Sequence, residues 1–115
     1  MRHSLYIIIG IALLSFAACG RQQQAKSVVK DFVEQSLHKN VTYLDFADLD
    51  STHTISDSLI LMLRQRGPKG VKYQERKGIT LYYLRANYLE EQDSCSTTFY
   101  LDRELTGVVA FKENR

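Results

Sequence analysis

The chain has 115 residues, and its 15 Lys and Arg against 13 Asp and Glu leave a formal charge of +2. That length suits one domain, and a balance so near neutral excludes the strongly basic surface of a dedicated nucleic-acid binder. No zinc-ligand spacing, phosphate-cradling Gly loop or nucleophile elbow appears in it.

The N-terminus opens with Met1-Arg2-His3, a positive segment, followed by a mostly apolar run over residues 5–16. About a dozen apolar residues suit a signal-peptide core and fall short of the roughly 20 that span a bilayer. Small residues close the run, and Phe16-Ala17-Ala18-Cys19 resembles a bacterial lipobox, with Phe16 where Leu is usual. The resemblance implies removal of residues 1–18 and lipidation of Cys19, which would anchor the protein to a membrane. Ordinary secretion with cleavage after Ala17, and a retained anchor, are the alternatives. Residues 19–24, the lipidated Cys with Gly20, Arg21 and three Gln, are expected to form a short polar tether. Many Bacteroidetes lipoproteins carry an acidic surface-export cluster after the Cys. This segment has Arg21 in its place, which implies an envelope protein facing the periplasm.

Processing leaves 97 residues at a formal charge of +1, because Arg2 is the one charged residue removed. A chain of that size holds one modest core, assigned to residues 25–115. Cys95 is then the lone thiol and reads as a small, half-buried strand residue.

Ala25, Val28, Val29, Phe32, Val33 and Leu37 recur at three- and four-residue steps, which predicts an amphipathic helix over 22–39 with Asn40 as its stop. Lys30 and Glu34 are spaced to pair on its outer face. Residues 41–46 read as a short strand. Thr54-Ile55-Ser56-Asp57 offers two capping residues, Thr54 or Ser56, for a second helix with Leu59, Ile60 and Leu63 inward. Gly67-Pro68 ends it, with Gly67 expected to adopt a left-handed conformation. From Val71 the period changes to two. Strands are expected over 71–75, 79–89, 95–101 and 108–111, joined by tight turns at 77–78, 91–94 and 102–107. Consecutive strands with short turns form an antiparallel meander whose apolar face the first helix covers.

This α+β order, an N-terminal helix on a curved antiparallel sheet of four to five strands with a short second helix, is similar to the cystatin-like or NTF2-like roll. A two-layer sandwich with both helices on one face is the alternative. Leader and size also resemble small Bacteroidetes lipoproteins. The Gln-x-Val-x-Gly loop by which cystatins inhibit proteases is missing here. The roll implies two further possibilities, a small-ligand pocket between helix and sheet or, less favoured, an NTF2-like enzyme with an acid–base pair there.

Asp48, Asp50 and His53 are the one local cluster that suggests metal or acid–base chemistry. As a calcium loop it fails, with His53 where Gly is needed and Leu59 where a bidentate Glu is needed. It reads as a hydrogen-bonding loop before a capped helix, and His38 as a helix-end residue where partial positive charge is favourable. No catalytic residue, metal or cofactor is expected. Tyr82, Tyr88 and Tyr100 on the strands, with Lys72 and Arg76 in the basic 64–77 stretch, are the candidate partner-binding residues. The expected role is that of a non-catalytic, lipid-anchored module of the cell envelope contacting another envelope protein.

Overall fold

A computed structural model describes residues 20–114. Lipidation of Cys19 and the leader before it lie outside the described residues. Residues 20–31 are α-helical and run without a break into a π-helical turn, Phe32–Ser36; together these form α1. The strands are β1 (Thr42–Phe46), β2 (Asp50–Thr52), β3 (Leu81–Glu90), β4 (Asp93–Leu101) and β5 (Val108–Glu113), with α2 (Asp57–Arg66) between β2 and β3. All pairings are antiparallel in the order β1-β3-β4-β5, and β2 shares the outer edge of β3 with β1. The α+β class and the meander are as the periodicity predicts.

Side-chain parity on the strands decides what each face covers. Leu84, Ala86 and Tyr88 of β3, Phe99 and Leu101 of β4, and Val108 and Phe111 of β5 form one core with Ala25, Val29, Phe32 and Val33 of α1. Phe32 stands at its centre, 5.9 Å from Tyr73, 6.2 Å from Phe99 and 5.8 Å from Phe111, ring centre to ring centre. These rings pack between the helix and the sheet.

Leu81, Val109 and Ala110 project the other way and meet Ile60 and Leu63 of α2 in a second cluster. A bulge at Val109, opposite Tyr100 and Leu101, lets the consecutive Val109 and Ala110 serve one face while Val108 and Phe111 serve the other. The two helices therefore lie on opposite faces of the sheet, and the alternative of both on one face does not hold.

The helix ends differ from expectation in informative ways. α1 stops at Ser36, three residues early, because His38 takes a left-handed φ of 53°. The Lys39 N–H then reaches back to the Val33 carbonyl at 3.0 Å, closing the helix as glycine does elsewhere. Ser56 is the cap of α2, its hydroxyl accepting from the Leu59 N–H at 3.2 Å. Gly67 ends α2 in an extended conformation, φ −78°, so left-handed freedom is not why glycine stands there. Space is the reason, since a Cβ at 67 would lie 2.7 Å from the Tyr73 hydroxyl.

Residues 71–77, expected to open the meander as a strand and turn, are irregular. Gln74 N–H donates to the Val108 carbonyl at 2.8 Å, and Arg64 reaches across to the Gln74 carbonyl at 2.9 Å. One ladder bond does not make a strand, and side-chain docking holds the segment instead. Gly78 takes a φ of 82° just before β3, a conformation that costs a glycine little.

Residues 20–24 do not behave as a tether. They are helical and docked to the domain. Gln22 accepts from the Leu49 N–H at 2.8 Å and donates to the Ala47 carbonyl at 3.0 Å. Gln24 donates to the Leu105 carbonyl at 3.1 Å, and the Arg21 guanidinium lies 4.6 Å above the Tyr82 ring. The polarity read as a solvated linker is spent on capping loop backbone.

Candidate functional site

α2 covers only the end of its sheet face around Leu81, Val109 and Ala110. Beyond it the same face lies open. The register places Tyr83 of β3 opposite Tyr100 of β4, with Arg85, Thr98 and Lys112 aligned as the next row across β3, β4 and β5. These five side chains floor a groove of about 420 Å³, edged by Asp48, Thr52, Ile55 and Asn114. Neighbouring strands lie about 4.8 Å apart, so the Arg85 and Lys112 backbones are roughly 10 Å from one another across Thr98.

The electrostatics are uneven. Arg85 and Lys112 are exposed, and neither takes part in a salt bridge among the described residues. Thr98 is oriented by Asn114, whose side-chain amide donates to its hydroxyl at 2.9 Å. On the α2 side, the Tyr83 hydroxyl donates to Asp50 at 3.3 Å. The charge of Asp50, with some burial and that hydrogen bond, pushes the Tyr83 phenol up. Burial pushes the Tyr100 phenol up, with Tyr83 adding to it. Both rings are therefore neutral at physiological pH, beside the Arg85 and Lys112 side chains. The arrangement can hold carboxylates on Arg85 and Lys112 while the tyrosines pack against apolar atoms.

The candidate residues read from sequence fall in different places. Tyr100 lines this groove. Tyr82 is half-buried on the α1 side beneath Arg21. Tyr88 is 5% exposed, on the α1 face, with its hydroxyl 2.7 Å from Thr97 Oγ1, and it presents nothing to a partner in this fold. Arg76 is a structural latch that donates to the Gly78 and Ile79 carbonyls at 2.8 Å and lies 3.3 Å from Asp57. Lys72 is exposed beside α1, away from Arg76, and the two do not form one patch. Arg85 and Lys112 had no sequence signal of their own; only the register brings them together.

Asp48, Asp50 and His53 are all exposed and do not converge. Asp48 edges the groove, Asp50 serves Tyr83, and the His53 ring is 3.1 Å from the Thr80 hydroxyl. Among the described residues no group of three His, Cys, Asp or Glu is placed to hold a metal ion. Cys95 is half-buried on β4, opposite Tyr88. The polar residue missed by sequence reading is Asp102, 1% exposed at the end of β4. Its carboxylate accepts from the Thr106 N–H at 2.7 Å, the Gly107 N–H at 3.0 Å and the Thr106 hydroxyl, and so builds the turn into β5.

No family model, curated protein or solved structure matches the chain. Among the described residues no helix is long and apolar enough to cross a membrane.

Proposed function

We propose that the protein is a lipid-anchored module of the cell envelope that holds a carboxylate-bearing protein partner on the open sheet face. The lipobox-like Phe16-Ala17-Ala18-Cys19 supports the anchor, and the Arg85–Thr98–Lys112 row supports the binding face. That row carries the reading: two exposed cations without a salt bridge among the described residues, at fixed spacing on a rigid sheet, beside two neutral phenols. An acidic segment lying across the strands would pair with both cations and cover Tyr83 and Tyr100.

The test is in-cell crosslinking of the tagged protein followed by mass spectrometry of what is retained. Arg85→Glu with Lys112→Glu reverses the charge of the row and should remove the specific partner while leaving the melting temperature within a few degrees. Lys72→Glu, on the other side of the sheet, is the control and should not. Equal recovery from both variants would sink the binding face. Release of a Cys19→Ser variant into the soluble envelope fraction is expected of the anchor, and unchanged membrane retention would sink that part.

A further inference from the structure

We infer that the domain is seated directly on the lipid surface, with the end of the sheet that carries residues 102–107 turned toward it. The inference rests on the anchor at Cys19 proposed above and goes on to its geometry. A lipidated domain on a flexible tether samples many orientations, because five extended residues reach up to about 17 Å. Here the chain is already helical at Gly20, and the first turns of α1 are fastened to three separate parts of the fold. Arg21 covers Tyr82 at the start of β3, Gln22 holds the backbone at Ala47 and Leu49, and Gln24 holds it at Leu105. The acyl chains on Cys19 would then lie within about one residue, some 3.5 Å of backbone, of a rigid body.

The direction of α1 decides which end is held down. The helix runs along β3, from Tyr82 near its own first turn toward Glu90, which pairs with Lys39 just past its last turn at 3.4 Å. Its N-terminus therefore marks the end where β3 and β5 begin and β4 finishes. Residues 102–107 and Ile79 lie at that end, and Glu91 and Gln92, between β3 and β4, lie at the far one. Ile79 is 69% exposed and places an apolar side chain where the bilayer interface would be. Exposed charge at this end is of both signs, Arg21, Lys77 and Arg103 against Asp57 and Glu104, so covalent reach and not electrostatic attraction sets the seat. The sheet then stands upright and its open groove faces sideways, along the membrane.

The experiment uses the lipidated protein in phosphatidylcholine vesicles that contain a nitroxide-labelled lipid. In a Cys95→Ser background, a fluorophore is attached through Arg103→Cys or Gln92→Cys. The label at 103 is expected to be quenched at least about twofold more than the label at 92, and equally so in 0.1 and 1 M salt, where screening differs strongly. Inserting about twelve Gly and Ser residues between Cys19 and Gly20 should bring the two labels together. Equal quenching of both labels without the insertion would overturn the seating while leaving the anchor intact. Loss of the difference in high salt would also overturn it, since charge would then be responsible. If neither label is quenched and the protein leaves the vesicles as Cys19→Ser does, the anchor itself fails and the seating with it.

Discussion

Tyr88 and Thr97 share a hydrogen bond of 2.7 Å inside the apolar core between α1 and the sheet. Thr97 is 2% exposed, so neither hydroxyl has ready access to water. A buried polar pair of this kind contributes modestly while complete and costs much more when half of it is removed.

Thr97→Val should therefore destabilise the domain by about 1–3 kcal/mol, because it strands the Tyr88 hydroxyl. Tyr88→Phe in the same chain should recover a large part of that loss. Urea unfolding of the two single variants and the double variant measures the coupling. Strict additivity would show that water satisfies the tyrosine.

The turn between β3 and β4 offers a stabilising change. Glu91 and Gln92 both have positive φ, 51° and 74°, as a type I′ hairpin requires. Neither residue type favours that region, whereas Asn followed by Gly does. Replacing Glu91 by Asn and Gln92 by Gly should raise stability by about 1 kcal/mol and the thermal midpoint by several degrees. A fall in the midpoint would mean that the two side chains contribute contacts beyond the turn.

Alkaline pH should expose the buried phenols. Burial, with Tyr88 and Glu34 nearby, pushes Tyr43 up to about 12. Its stabilising effect is full below the ordinary tyrosine value near 10, where folded and unfolded chains are both protonated. It is lost as pH rises from about 10 through 12, because the unfolded chain releases the proton first. Tyr43→Phe should accordingly lessen the drop in melting temperature between pH 9 and pH 11.5. An identical drop would assign alkaline sensitivity to Tyr73, Tyr88 and Tyr100, whose phenols burial also raises.

Much of the fold is legible in periodicity. The α1 stripe and the Leu84, Ala86, Tyr88 face of β3 depend on local spacing, and both are found in the core. What local spacing omits is the partner across the sheet. Tyr88 and Tyr82 share a face as alternation requires, yet alternation does not say that Thr97 waits for the Tyr88 hydroxyl. Strand β2 is three polar residues, too short and too hydrophilic to show a period.

The 71–77 segment alternates like a strand but is held by Arg64 and Val108, which lie elsewhere in sequence. In β1, a register shift between Tyr43 and Asp45 puts Tyr43 and Phe46 on one side, stacked 5.3 Å apart under Lys26 and Lys30 of α1. Lys30 is thus committed to those rings, where helix spacing alone would pair it with Glu34. The open groove was illegible for the same reason: Arg85, Thr98 and Lys112 come from three strands, and only their register makes them neighbours.

The divided outer edge of β3 has a consequence for the protein at high local concentration. An unbroken, flat strand edge is a template onto which another chain can add and grow a fibril. Here β1 is irregular, β2 is three residues long, and residues 47–49 between them are held by Gln22. At the opposite margin, the Val108 and Val109 carbonyls already accept from Gln74 and Arg64. Neither border offers a long run of vacant backbone groups, so crowding need not lead to sheet-to-sheet polymerisation.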